Sequence, residues 1–411
     1  MQESQRKVKV GVVGCGVVAT AYYLPHMLKM PEVEIVAVCD IFEDRIKACQ
    51  RLYGARETYT DYYDMVAKAD IEAVLILTGP GTHAPFTIAA AEAGKHILLQ
   101  KPMATNMEDA IAIKKAVRDN NVIAVVEPSE RSLLDFRFTE ARNLIRQGVL
   151  GDPYWFALIP KGATEKNHPM AGGNPYGVGA FFSKDSGGML FDYPYFPTAI
   201  CTLLGDCKSV QGLAKVSVPE RYVVPDDEYN KFLKECDDPH EANYWPVVLD
   251  KEKTQKVKMG APDNIYSLYE MKSGWIGACH VGRLFQPAHP MSTYGNLEIY
   301  GSEGNLLLHT DSLVSINSTR TDLLPETDEN GWYNIPDMEG VRRIRGPVPP
   351  DGGFNYYHVS TDHFIDCILH NKQPLIDVDW GLHITEMMCG AIISAETGQR
   401  YEMTTSTGVE F

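Results

Sequence analysis

The chain has 411 residues, with 38 Lys+Arg against 54 Asp+Glu and a formal net charge of −16 at pH 7. That length suits two domains, and the excess of carboxylates disfavours a nucleic-acid backbone or an anionic membrane surface as partner. Composition is that of a globular protein, at 44% hydrophobic and 22% charged residues. No apolar run reaches the roughly 18 residues that span a bilayer. The opening Met-Gln-Glu-Ser-Gln-Arg lacks the apolar core of a secretion signal, and the 9 cysteines show no CxxC spacing. Both features point to reduced thiols in a cytoplasm, not to a disulfide framework or a zinc site.

The first expected strand, 7–13, runs into Val10-Gly-Val-Val-Gly-Cys-Gly-Val-Val-Ala19. Gly14 permits a tight turn, Gly16 lets backbone approach a pyrophosphate, and Ala19 allows close helix–strand packing. A helix over 17–29 then aims the free N–H groups of Val17 and Val18 at phosphates. A second strand, 33–39, ends at Asp40, where a carboxylate can accept both hydroxyls of a ribose. The same charge repels a 2′-phosphate, and Ile41 and Phe42 supply no cation to neutralise one. Arg45, about a helical turn further on, is the side chain that could be recruited. The pattern therefore favours NAD over NADP. A buried glycine-rich turn without ligand is the competing reading, and the acid after the second strand weighs against it.

Strands at 72–77, 96–99 and 122–126 follow, with helices at 42–53, 61–68, 83–94 and 106–119. Thr105 and Glu108 form a capping box for the last helix. This alternation is the signature of βαβ units and a parallel sheet, whose ligands lie beyond the carboxyl ends of the strands. That edge carries Thr78, Pro80, His83, Gln100, Lys101 and Glu127. A lysine there can polarise a carbonyl or share a hydroxyl proton, although a lone lysine ending a strand is more often simply solvated. His83 sits at this edge too, where it can be a satisfied loop histidine.

Beyond residue 127 the character changes. Phe138, Ala141 and Ile145 mark a helix that ends before Gly148. Alternating segments near 154–160, 208–217, 265–271, 275–281, 295–300 and 304–308 predict a largely antiparallel sheet. Residues 218–262 are acidic and proline-containing, an excursion expected to be exposed or at a subunit contact. Residues 322–352 read as a second long loop, and helical periodicity returns in 358–370 and 380–396. The expected organisation is an α/β chain: a doubly wound Rossmann domain, 1–127, and an α+β domain with a large, mostly antiparallel open sheet, 128–411. His358, Asp362 and His363 are off the spacing of a helical zinc site, so no metal is expected. His383 and Glu386 read as a helix-surface pair. The segment 161–184 (Lys161, His168, Asn174, Tyr176, Lys184) suits a loop touching hydroxylated rings, and Arg131, Tyr154, Trp155, His280 and Arg283 are further pocket candidates.

The order Gly-Xaa-Gly-Xaa-Xaa-Ala, Pro80-Gly-Thr-His83, Glu92-Ala-Gly-Lys-His96 and Lys101-Pro102 resembles the glucose–fructose oxidoreductase/inositol dehydrogenase (Gfo/Idh/MocA) family. The likeness continues through Ile145–Pro153, Gly187–Asp192, Glu298–Gly304, Gly381–Glu386 and Ser394–Gly398. The resemblance implies a Rossmann domain followed by a domain whose open sheet faces the nicotinamide and often mediates dimers or tetramers. It also implies a catalytic lysine, which matches Lys101, and cofactor or substrate contacts at His83. Two positions depart from the family. Gln100 stands where a glutamate usually precedes the lysine, and Asp192-Tyr193-Pro194-Tyr195-Phe196 replaces the usual Asp-Xaa-Xaa-Xaa-His. Direct counting puts Phe196 at the histidine position, and a one-residue deletion puts Tyr195 there. A tyrosine can do proton chemistry, so the expected catalytic set is Lys101, Asp192 and Tyr195, with Glu127, Arg131 and Tyr176 also toward substrate. The implied activity is NAD-dependent oxidation of a secondary hydroxyl of a sugar, glycoside or cyclitol. The alternatives are tightly held NAD recycled in place, or a dinucleotide-sensing regulator.

Overall fold

The computed structural model describes residues 6–159, 187–244, 247, 251–252, 254–282, 296–308, 313–336 and 355–410. Tyr176, Arg283 and the rest of the 161–184 loop lie outside them.

The first half alternates strand and helix. β1 (Val8–Val13) leads into α1, which begins at residue 17, is π-helical over Ala19–Tyr23 and continues as Leu24–Met27. Then come β2 (Val33–Cys39), α2 (Glu43–Tyr53), β3 (Glu57–Tyr59), α3 (Tyr62–Lys68), β4 (Ala73–Ile76) and α4 (His83–Glu92). β5 (His96–Leu99), α5 (Met107–Asp119) and β6 (Ala124–Val126) complete a six-stranded sheet ordered β3-β2-β1-β4-β5-β6, parallel throughout. Its central strands are buried on both faces, as the β-branched runs require. β3 was not expected from sequence, because Glu57-Thr-Tyr is half exposed and carries no apolar run. The helix before β6 is capped differently from the expectation: Asn106, not Thr105, accepts from the Asp109 N–H at 2.8 Å. A short Asn side chain at the N-cap reaches that N–H directly.

Register places the site. Val13 pairs with Cys39 and Ile76, Ile76 with Leu99, and Leu99 with Val126. The residues that follow these ends are Gly14, Asp40, Leu77-Thr78, Gln100-Lys101 and Glu127, so all emerge along one edge.

The second half contains α6 (Phe136–Arg146), β7 (Pro153–Ile159), α7 (Met189–Asp192), α8 (Tyr195–Leu204), β8 (Cys207–Lys215), β9 (Glu220–Val223), α9 (Asp226–Glu235) and β10 (Gln255–Lys258). β11 (Asn264–Met271), β12 (Ile276–Gly282), β13 (Asn296–Gly301), β14 (Gly304–Leu308), β15 (Val314–Ser318) and β16 (Trp332–Asn334) follow. α10 (Tyr356–His370), α11 (Val378–Thr397) and β17 (Tyr401–Glu402) close the fold. Nine strands form a sheet ordered β16-β15-β14-β13-β7-β12-β11-β8-β17, antiparallel except for β7 with β12. β16 lies inside what the sequence presents as loop.

One face of this sheet is covered by α8 and α11 and shares an apolar core with the back of the parallel sheet. The last helices also return to the first half: Val378 and Leu382 join the core beneath β6, and the Val126 N–H donates to Ile376 O at 2.8 Å. His383 and Glu386 are wholly buried, not a surface pair. His383 Nε2 accepts from the Cys207 N–H at 3.0 Å and its Nδ1 lies 2.8 Å from Thr405 Oγ1, while Glu386 accepts from Thr404 and Thr405, so both tie α11 to the segment after β17. Among the described residues, no helix is long and apolar enough to cross a membrane, and all nine cysteines are free thiols.

Candidate active site

The nucleotide end is built by a turn that a side chain would block. Gly14 has φ of 92°, and a Cβ there would lie 2.8 Å from the Leu77 carbonyl carbon and oxygen. Gly16 differs: nothing lies within 4 Å of where its Cβ would be. That open space sits at the start of α1, against the half-buried Val17 and Val18, and it is the shape a pyrophosphate needs. Asp40 is buried, with Oδ2 accepting from the Cys15 N–H at 2.7 Å and Oδ1 from the Phe42 N–H at 3.0 Å. Each oxygen keeps a lone pair for a ribose hydroxyl. Thr78 and Thr82 share a 2.6 Å hydroxyl contact, and Pro80 opens the exposed turn between them. These residues fit NAD.

Arg45 is not available for a 2′-phosphate. Its guanidinium lies 4.2 Å from the Phe42 ring centroid and 4.8 Å from that of Tyr229, and Nε donates to Asn230 Oδ1 at 2.7 Å. Tyr229 and Asn230 come from α9, so the 218–262 excursion is not simply exposed. Tyr229 is buried, with its hydroxyl 3.1 Å from Thr20 Oγ1 and donating to Cys15 O at 3.3 Å. Tyr53 donates to Pro239 O at 3.1 Å. An apolar face of α9 explains this docking against α1 and α2.

At the other end of the edge, Lys101 Nζ donates to Asp192 Oδ1 at 2.7 Å and to Asp192 O at 3.0 Å. Their side chains are 12% and 7% exposed, so the pair is screened from water and its attraction is strong. Lys101 Nζ also lies 5.4 Å from the Tyr195 ring centroid. The Tyr195 and Tyr357 hydroxyls are 3.4 Å apart, and burial, then the neighbouring Tyr357 phenol, pushes the Tyr195 pKa well up. Tyr195 is therefore a neutral phenol at physiological pH, a donor and not a base. Phe196 is buried, its ring centroid 5.6 Å from that of Tyr193. Tyr195 and Phe196 both rise from α8, on the side of the large sheet that α8 and α11 cover.

Three residues expected to touch ligand are held by hydrogen bonds to the protein. His83 is fully buried, with Nδ1 2.7 Å from Pro102 O and Nε2 3.1 Å from Thr78 O, and burial lowers its pKa. It brackets the two loops from behind. Gln100 is buried, its Oε1 accepting from the Lys101 N–H at 2.9 Å and its Nε2 donating to Tyr23 Oη at 2.8 Å. Tyr23 in turn donates to Glu127 Oε1 at 2.8 Å. Glu127 also accepts from the Ser129 N–H at 2.5 Å and from Ser360, and burial raises its pKa. The carboxylate missing beside Lys101 thus stands two hydrogen bonds away. Trp155 and His280 lie on the large sheet's outer face, stacked on Tyr300 and Tyr266. Tyr22, Tyr23 and Tyr357 were missed from sequence. Tyr22 and Tyr357 stack at 4.5 Å, and the tyrosine doublet after the glycine turn was the available signal for the first two.

Residues 8–127 match the family profile described as "Oxidoreductase family, NAD-binding Rossmann fold". That profile and the relatives below make the chain similar to the Gfo/Idh/MocA oxidoreductases. Relatives include the scyllo-inositol 2-dehydrogenase (NAD(+)) of Bacillus subtilis, 23% identical over 383 residues, 91% of this chain and 90% of that protein. Inositol 2-dehydrogenase 3 of Saccharopolyspora erythraea is 34% identical over 157 residues, 38% of this chain and 46% of the relative. Among solved structures, levoglucosan dehydrogenase in complex with NADH and L-sorbose superposes with a TM-score of 0.72. It is 19% identical, with 97% of this chain and 99% of that one covered, a likeness of fold. Asp40 and the Gly14–Gly16 turn lie within the matched residues, at the glycine-rich end of the strand edge.

Proposed function

We propose that the chain is a cytoplasmic NAD-dependent dehydrogenase of the Gfo/Idh/MocA kind that oxidises a secondary hydroxyl of a sugar, glycoside or cyclitol to a ketone. Residues 1–127 form the cofactor domain in this reading, and residues 128–411 the substrate and oligomerisation domain. The observation that carries it is the screened Lys101–Asp192 pair beside the Tyr195 phenol, on the strand edge that also holds Asp40. When bound, NAD supplies the hydride acceptor. Lys101 Nζ takes the hydroxyl proton as its own proton passes to Asp192 along the 2.7 Å hydrogen bond. Tyr195 donates a hydrogen bond to the same oxygen and orients it. Gln100, tied to the Lys101 backbone and through Tyr23 to Glu127, fixes the loop from which Lys101 projects.

Positioned acid–base help is worth about 10²–10⁴ in rate. Lys101→Met is expected to lower kcat by that factor while NAD affinity, measured by calorimetry, stays within about twofold. A variant that reduces NAD at the wild-type rate with any sugar, glycoside or inositol would remove Lys101 from the reaction. A second reading, NAD retained and recycled in place, draws support from α9, whose Tyr229 ties the second half to the glycine turn. Protein that purifies with NAD bound and releases no net NADH would favour it.

A further inference from the structure

Arg131 is a cation held in an uncomfortable place. It is a non-glycine residue with φ of 64°, and its side chain is only 12% exposed. Nε and Nη1 are buried with no hydrogen-bond partner among the described residues. The neighbouring Glu130 carboxylate stops 3.6 Å from Nε, beyond hydrogen-bond range. Arg142, also buried, differs: it donates to Thr202 O at 2.8 Å and to Glu410 O. A guanidinium that holds structure together looks like Arg142.

The position of Arg131 is informative as well. Its guanidinium carbon is 5.5 Å from the Phe196 ring centroid, and Lys101 Nζ is 5.4 Å from the ring of the adjacent Tyr195. The two cations therefore flank one aromatic pair at the head of α8. Left-handed backbone in a bulky residue persists where surroundings over-determine it, commonly at ligand sites. Buried N–H groups without acceptors are costly, and so is an incompletely balanced buried charge. A diol would satisfy the N–H groups and leave the charge. A carboxylate answers both, since its two oxygens match the planar fork.

We propose that Arg131 anchors a carboxylate on the substrate, so that the substrate is an acidic sugar: a uronic or aldonic acid, or a glycoside of one. The assignment rests on the dehydrogenase reading above and narrows it. Lys101 and Asp192 meet the reacting hydroxyl, and Arg131 holds the acid group across the Tyr195–Phe196 pair.

The test compares D-glucose with D-glucuronate, and D-galactose with D-galacturonate, by calorimetry on NADH-loaded protein and by NADH formation. In the wild type each acid is expected to bind roughly 10- to 100-fold more tightly than its neutral parent. Arg131→Met is expected to bring that ratio to about one without lowering Tm, since no side-chain hydrogen bond to the described residues is lost. Arg131→Lys, which keeps the charge and loses the fork, falls between them and serves if the methionine variant does not fold. Equal binding of acid and neutral sugar by the wild type would overturn the proposal, as would a ratio unchanged in both variants. Preference for glucose 6-phosphate over glucuronate would overturn the carboxylate assignment. Acids that bind through Arg131 without forming NADH would sink the dehydrogenase reading alone. NADH formed from neutral sugars with no preference for acids would sink the anion site alone.

Discussion

Gly14 and Gly16 stand two residues apart and do different work. A methyl group at Gly14 meets backbone atoms at 2.8 Å and adds a left-handed φ that L-residues resist. Gly14→Ala is expected to lower folding stability by about 1–3 kcal/mol, read as an earlier urea midpoint. A methyl group at Gly16 meets no protein atom. Gly16→Ala should therefore unfold at the wild-type midpoint and still bind NAD more weakly by about tenfold or more, because the added carbon occupies the pyrophosphate's space. Weakened NAD binding with intact stability is the discriminating result, and wild-type affinity would mean the cradle lies elsewhere. This part of the site was legible in the sequence, since glycine spacing and the acid after the second strand are local signals. The choice of Tyr195 over Phe196 was less legible, because it rests on a one-residue deletion that no local pattern fixes; in the structure the Tyr195 ring centroid lies 5.4 Å from Lys101 Nζ.

Strands with apolar β-branched runs, such as β1, β2 and β5, were visible because burial on both faces leaves no other composition. β3 and β16 were invisible, being three residues long and part exposed. The docking of α9 was invisible for a different reason: Tyr229 meets Thr20 across 209 residues, and no local pattern encodes so distant a partner. The same holds for the contact between α1 and α10. There the His26 and His358 rings stack at 3.9 Å, and His26 Nε2 lies 2.7 Å from Asp362 Oδ1. Burial, then the charge of His26, pulls the His358 pKa from 6.5 down to about 3. Between those values the unfolded chain binds a proton that the folded chain refuses. Stability from this group is therefore complete above 6.5 and is lost as pH falls toward about 3, by up to about 1.4 kcal/mol per pH unit. His358→Phe keeps a stacking ring without a titrating nitrogen. Its urea midpoint is expected to fall less than the wild type's between about pH 7 and pH 5, and parallel curves would show that another group governs acid sensitivity.

At the scale of the molecule, one surface stands out as unfinished. Among the described residues the nine-stranded sheet is covered on one face only, and its outer face carries Trp155, Leu213, Tyr266, Leu268 and Ile276 at 44%, 74%, 45%, 56% and 55% exposure. Register makes them neighbours: Tyr266 pairs with Leu213, Leu268 with Ala278, and Ile276 with Trp155. The patch is continuous across four strands, and its centre is apolar. A monomer rarely leaves such an area to water, and a second copy of the same sheet, applied about a twofold axis, covers it with an identical surface. The expected state is a dimer or a tetramer built on this face. Light scattering coupled to gel filtration should give a multiple of the 45.8 kDa chain mass. Leu268→Glu combined with Ile276→Glu places a charge on each of two adjacent strands, and in a closed interface these would face their own copies unpaired. The double variant should elute as a monomer and keep its NAD affinity, because the nucleotide edge lies on the other sheet. A wild-type protein that is already monomeric, or a double variant that still associates, would assign this face to another role.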